Sequence, residues 1–182
     1  MRSDDREDSV SAAALVAVGG LVASGKSTVS RALAEKLSAV RVEADEVRAA
    51  FERAGEREAF VPGFSDVVYE QMFADADKAL GDGRCVVLDG TFRSRERRAH
   101  ARQLAGRHGA AFRFVECRAD ETVIRRRLGE RDDPQGWLAM FEHFLTIWEP
   151  VDELHDDELF RLDTSQPCVP VPGPAQLGLE HT

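Results

Sequence analysis

Eight residues, Gly20-Leu21-Val22-Ala23-Ser24-Gly25-Lys26-Ser27, limit what this chain can fold into more than any others. They fit the spacing G-x-x-x-x-G-K-[ST] without exception, the pattern of a loop that wraps phosphate groups in backbone amides. Such a loop needs a buried strand before it and a helix after it. Ala12 to Val18 is an apolar run of strand length, and Ser27 to Leu37 sets Val29, Leu33 and Leu37 on one helical face. Within the loop, Gly20 and Gly25 permit backbone angles and close approach that a side chain would prevent. The amides of Ala23, Ser24, Gly25, Lys26, Ser27 and Thr28 then point at phosphate oxygens, and the helix adds its positive N-terminal end. Lys26 reaches the β- and γ-phosphates as a point charge, and the Ser27 hydroxyl is placed to ligate Mg²⁺. ATP and Mg²⁺ are the expected cofactors.

The remaining chain alternates strands with helices. Strands are expected at Val40 to Ala44, Cys85 to Leu88, Ala111 to Cys117 and Leu159 to Leu162. Helices are expected at Asp45 to Phe51, Ser65 to Leu80 (with Ser65 as cap), Ser94 to His108, Glu121 to Leu128 and Gln135 to Trp148. Glu52 to Phe64, with Gly55, Pro62 and Gly63, reads as irregular. The fold class is therefore α/β, a three-layer sandwich with a five-stranded parallel sheet and helices on both faces. Residues 1–11 read as a charged, disordered lead-in, 12–165 as one domain, and 166–182 as a proline-rich tail, extended or disordered.

Charge narrows the partners. Against 24 basic residues stand 33 acidic ones, a net charge of −9, which disfavours general nucleic-acid binding. The signs are segregated, however: twelve arginines fall between Arg93 and Arg131 against five acids, a stretch able to hold phosphate groups. No apolar run is long enough to span a membrane and no secretion signal is visible, so a cytoplasmic protein is expected. Cys85, Cys117 and Cys168 lack ligand spacing, and the first two read as buried strand residues.

Other motifs separate the chemistries a phosphate loop can serve. The chain contains no asparagine, which excludes the usual GTPase base-reading motif. Asp89 ends the run Cys85-Val86-Val87-Leu88, but Gly90 follows where hydrolytic motors carry a water-activating glutamate. From about Ala14 to Ser165 the chain resembles P-loop kinases, above all the small bacterial AAA-type ATP-binding kinases often attached to aminoglycoside-phosphotransferase-like domains. The resemblance is carried by Val18 to Thr28, Glu43-Ala44-Asp45-Glu46-Val47-Arg48, Val87-Leu88-Asp89-Gly90-Thr91-Phe92, Arg127-Leu128-Gly129-Glu130-Arg131 and Trp148-Glu149-Pro150. Gluconate kinases are similar in the arginine pair and the Glu-Pro region, and polynucleotide 5′-kinases in Asp-x-x-Arg.

This resemblance implies roles. Asp45 would take the proton of an acceptor hydroxyl, although an aspartate there also suits a helix cap. Arg48, one turn on, would hold an acceptor phosphate or carboxylate, and Thr91 and Arg93 would face the same crevice. Asp89 would support Mg²⁺. Arg127 and Arg131 would be lid arginines that neutralise the transferring phosphoryl group. Phe92 stands where related kinases often have asparagine, and Asp163-Thr164-Ser165 runs into the tail where relatives place a helix. The expected activity is transfer of the γ-phosphoryl group of ATP to a hydroxyl of a small molecule. A polynucleotide 5′-hydroxyl kinase and a non-catalytic nucleotide-binding module are the rival readings.

Overall fold

The computed structural model of the protein describes residues 13–55 and 63–179. The lead-in 1–11 lies outside the described residues, as do 56–62 of the segment expected to be irregular. Five strands, β1 (Ala14–Gly19), β2 (Val40–Glu43), β3 (Val86–Asp89), β4 (Ala111–Arg118) and β5 (Leu159–Asp163), form one sheet. Every pairing is parallel, in the order β2-β3-β1-β4-β5. The helices are α1 (Lys26–Lys36), α2 (Ala44–Arg53), α3 (Phe64–Gly81), α4 (Arg95–Arg107), α5 (Glu121–Gly129) and α6 (Pro134–Ile147).

Both faces of the sheet are covered, which is why its central strands are apolar throughout: all of β1 and β3 is buried. Leu15, Ala17 and Leu88 face α3 and α4, where they join Val68, Met72, Ala101 and Leu104. Val16, Val18 and Val87 face Val29 and Leu33 of α1. A separate apolar cluster of Val22, Ile124, Leu128 and Phe141 ties the α5–α6 pair to the phosphate loop. Register aligns Val18 with Asp89 and Asp89 with Glu43 at the carboxyl ends of three strands. Open parallel sheets bind ligands at that edge.

One local expectation changes, and two features not visible in the sequence are added. Ser65 is not the cap of α3: Gly63 stands there in the left-handed region at φ 82, and the Ser65 hydroxyl instead accepts from Arg97. Two arginines of α4, Arg97 and Arg98, are buried rather than solvated. The tail, finally, is extended through its prolines but is not loose. Leu177 is buried in a short 3₁₀ turn, Val169 and Val171 pack beside α1, and Arg113 donates to the carbonyls of Leu177 and Gly178. Lys36 Nζ donates to Val171 O at 2.5 Å. The segment covers sheet face beyond β5. Among the described residues no helix is long and apolar enough to cross a membrane.

Candidate active site

The phosphate loop leaves β1 and enters α1 through Gly25, whose φ of 83 puts it in a region costly for any residue with a Cβ. Ala23 takes a similar angle, φ 58, without that freedom, a strained position of the kind concentrated at ligand sites. Ser24 is 1% exposed, and its hydroxyl has no partner. Lys26 is half-buried, and no hydrogen bond or ion pair is formed by its ammonium among the described residues. A polar set left unsatisfied in this way fits a bound polyphosphate, which would supply the acceptors. At the start of α1 the Thr28 and Val29 amides bond to Gly25 O at 3.1 and 3.2 Å, while the Lys26 and Ser27 amides precede the first intrahelical acceptor.

Arg127 belongs to the wall of this loop. Its guanidinium donates to Ala23 O at 3.1 Å and to Thr164 O at 2.6 Å, while Thr164 Oγ1 donates to Ser24 O. Those bonds hold the loop to the end of β5. Arg131 lies past the end of α5 and is exposed, with its guanidinium 4.5 Å from the Trp137 ring centroid. The two arginines thus differ in freedom: their spacing of four suggests one helical face, but the helix stops between them.

A cavity of about 410 Å³ opens over the loop, bordered by Gly25, Thr28, Arg127, Thr164 and the tail residues Gln166, Pro167, Val169 and Val171. A second, of about 400 Å³, lies beyond it and takes in Asp45, Arg48, Thr91 and Arg93. Ala23, Lys26, Ser27 and Arg131 border both.

Asp89 is 2% exposed at the junction. Its Oδ2 accepts from Ser30 Oγ at 2.7 Å and from Arg41 at 2.9 Å. Arg41, on β2, also pairs with Glu43 at 2.6 Å and donates to Ser30 Oγ. Burial raises the Glu43 carboxyl above its usual range; Arg41 opposes this and the charge of Asp89 adds to it. Arg41 went unnoticed in the sequence, where the available signal is a charge between two valines on a strand. Among the described residues no group of three acidic, histidine or cysteine side chains could hold a metal ion. Ser27 and the pinned Asp89 fit the way Mg²⁺ is often held, by few protein groups together with substrate phosphates.

Asp45 lies inside the first turn of α2, where Glu43 occupies the cap position and makes no side-chain cap bond. Its carboxylate forms no hydrogen bond or ion pair among the described residues and borders the second cavity. The cap alternative therefore loses its geometry. Arg48 borders the same cavity, 5.4 Å from the Phe64 ring centroid.

The loop after β3 is shaped by Tyr69, a second residue that sequence reasoning missed. Tyr69 Oη accepts from the Phe92 amide at 2.9 Å and lies 3.3 Å from Thr91 Oγ1. Phe92, at φ 47, turns its ring into the core against Tyr69 and Phe114. The missing asparagine thus leaves a core anchor in its place. A Cβ on Gly90 would meet Tyr69 Oη at 2.6 Å, so a side chain there would have to displace the tyrosine that holds this loop. Arg98, 0% exposed, donates to Phe92 O at 2.9 Å and Pro150 O at 3.1 Å and pairs with Glu153. Glu149 accepts from the Arg95 amide, so the Trp148-Glu149-Pro150 segment locks α4 to this loop.

The cysteines stay outside the chemistry. All three are free, and burial pushes the Cys117 thiol up to about 12, which keeps it protonated and inert.

A five-stranded parallel sheet whose first strand runs into this phosphate loop is a P-loop α/β fold. A family model described as an AAA domain matches residues 15–144, and the chain belongs to that family. The Mycobacterium tuberculosis protein Rv2004c is 33% identical over 127 residues, 64% of this chain and 25% of its own length. The chain therefore spans about a quarter of that relative. The fold is shared with a sugar kinase from Janibacter sp. HTCC2649, at TM-score 0.63 and 20% identity over 91% of this chain and 90% of that one. It is also shared with the M. tuberculosis APS kinase CysC in complex with AMPPNP and APS. There the TM-score is 0.62 at 23% identity, over 85% of this chain and 90% of that one.

Proposed function

We propose that the protein is an ATP-dependent phosphotransferase acting on a hydroxyl of a small molecule. The observation that carries this reading is the pair of cavities meeting at Lys26, Ser27 and Arg131. A donor in one and an acceptor in the other would meet at groups suited to a phosphoryl in transit. ATP would lie in the first cavity with its phosphates in the loop. Lys26 and Arg131 would offset the negative charge of the transferring group. Ser27 and Asp89 would hold Mg²⁺, whose charge would further shield the β- and γ-phosphate oxygens.

Asp45 is the base in this reading. The acceptor oxygen bonds to the γ-phosphorus as the bond to the β–γ bridging oxygen breaks, releasing ADP, and the hydroxyl proton passes to the Asp45 carboxylate. Tyr69 and Arg98 would position the loop that carries Thr91 and Arg93. The apolar border supplied by α6 favours a small acceptor over a polynucleotide end.

The test follows label from Mg-[γ-³²P]ATP onto a panel of small alcohols and a 5′-hydroxyl oligonucleotide. Label on a small alcohol, reduced about 10²-fold in Asp45→Asn while ATP still binds, is the expected result. Label on the oligonucleotide would establish the polynucleotide reading instead. A chain that binds Mg-ATP and turns it over equally well as Asp45→Asn would remove Asp45 from the mechanism.

A further inference from the structure

The second cavity has two unlike walls, and its charged residues can be accounted for one at a time. Glu43 and Asp89 are held by Arg41. Arg97 is engaged by Asp66 at 2.7 Å and by Ser65, and lies 3.9 Å over the Tyr69 ring. Arg48 is engaged as well, with its guanidinium 5.4 Å from the Phe64 ring centroid. Lys26 and Arg131 border the donor cavity as well and are committed there to the triphosphate. Asp45 remains for the hydroxyl. Arg93 also remains: it is half-buried, and its guanidinium makes no hydrogen bond or ion pair among the described residues. A half-buried guanidinium without a protein partner is suited to a bidentate oxyanion.

The lining also takes in α6, whose Trp137, Met140, Phe144 and Ile147, with His143 among them, border the same cavity. Met140, Phe144 and Ile147 recur at helical spacing, so they share a stripe. Only Phe141 of this helix is buried in the protein, which leaves that stripe with no full cover from the chain itself. An open-chain polyhydroxy acid would set its hydroxyls against these side chains, stripping their water without returning hydrogen bonds. A flat or apolar body would be matched to them.

We propose, resting on the phosphotransferase reading, that the acceptor is an amphipathic hydroxy compound. It carries an oxyanion bound by Arg93 and a ring or apolar body seated on Trp137, Met140, Phe144 and Ile147, with its hydroxyl toward Asp45. Arg93 and Phe144 are then specificity-determining residues, one for each end of the acceptor.

Calorimetry on the full chain loaded with Mg-AMPPNP tests this with three probes: 4-(hydroxymethyl)benzoate, benzyl alcohol and gluconate. The first has hydroxyl, ring and oxyanion; the second lacks the oxyanion, and the third lacks the ring. The ring acid is expected to bind about tenfold or more tightly than either of the others. Arg93→Gln is expected to erase its advantage over benzyl alcohol, and Phe144→Asn its advantage over gluconate, each read against AMPPNP affinity on the same variant. Gluconate binding as well as the ring acid, an advantage that survives Arg93→Gln, or no binding of the ring acid to a chain that holds Mg-AMPPNP would each overturn the proposal. Those results leave the phosphotransferase reading standing. Failure of the wild-type chain to hold Mg-AMPPNP would bring down both.

Discussion

The two cavities that meet at Lys26 are built by different means. The side proposed for the donor has a local centre: neighbouring residues of one loop present their backbone, two glycines allow the path, and Arg127, Thr164 and the tail only complete the wall around it. The acceptor side draws on α2, α3, the loop after β3 and α6, elements spread from Asp45 to Ile147. Long-range side-chain bonds hold it in shape, chiefly those of Arg98, Tyr69 and Arg41. A local loop can lose one side chain and keep its fold. A surface assembled from distant elements is expected to lose shape and stability together.

The largest expected effect lies on the donor side and makes the contrast sharpest. Lys26 has no partner among the described residues, so Lys26→Ala removes no bond that the folded chain makes. Turnover is expected to fall on the order of 10³-fold, with a melting temperature changed by less than about 2 °C. Steady-state kinetics and a thermal scan check both halves. Unchanged ATP affinity and turnover would mean that the loop does not serve as the phosphate site.

Arg98→Leu is the counterpart on the acceptor side, where fold and function are expected to fall together. The substitution leaves the Glu153 carboxylate and the carbonyls of Phe92 and Pro150 without their donor. A loss of about 3 kcal/mol is expected in urea unfolding. The same pair gives this loss a pH signature. Burial works against the charge of Glu153, but its bonds to Arg98 outweigh that and hold the carboxyl below its usual range. A depressed folded pKa contributes stability that is present above the unfolded value and is lost as pH falls through the folded one. The gap between wild type and Arg98→Leu should therefore be widest near neutral pH and narrow on acidification. A gap independent of pH would show that Glu153 is not the partner that matters.

The same contrast explains what could be read from the sequence. Strand and helix positions followed from apolar periodicity, because a parallel sheet covered on both faces makes its central strands continuously apolar. The phosphate loop followed from spacing alone, because its geometry is set by consecutive residues. Arg41, Tyr69 and Arg98 did not follow, since nothing local distinguishes them from a strand-edge charge, a core aromatic and one of many arginines on α4. Their partners lie far along the chain: Asp89 is 48 residues from Arg41, and Glu153 is 55 from Arg98. The tethering of the tail was hidden for a related reason. Its prolines announce an extended backbone, but that backbone is tethered through Lys36 and Arg113, whose partners are carbonyls without a residue signature.

The smallest expected effect separates the two cavities most finely. Tyr69→Phe keeps the ring that packs on Phe92 and removes only the oxygen, leaving the Phe92 amide without its acceptor. A buried donor so exposed costs about 1 kcal/mol, and a loop already held at φ 47 has reason to relax. Thr91 and Arg93 ride on that loop, so affinity for 4-(hydroxymethyl)benzoate should drop several-fold, roughly the equivalent of that energy. The loops do touch, through the Gly20 amide and Thr91 O at 3.2 Å, but that bond joins backbone to backbone and does not involve the tyrosine oxygen. AMPPNP affinity should therefore stay within about twofold of wild type. If both affinities fell together, the cavities would be one mechanical unit, and the division into a local donor side and an assembled acceptor side would fail at the point where they join.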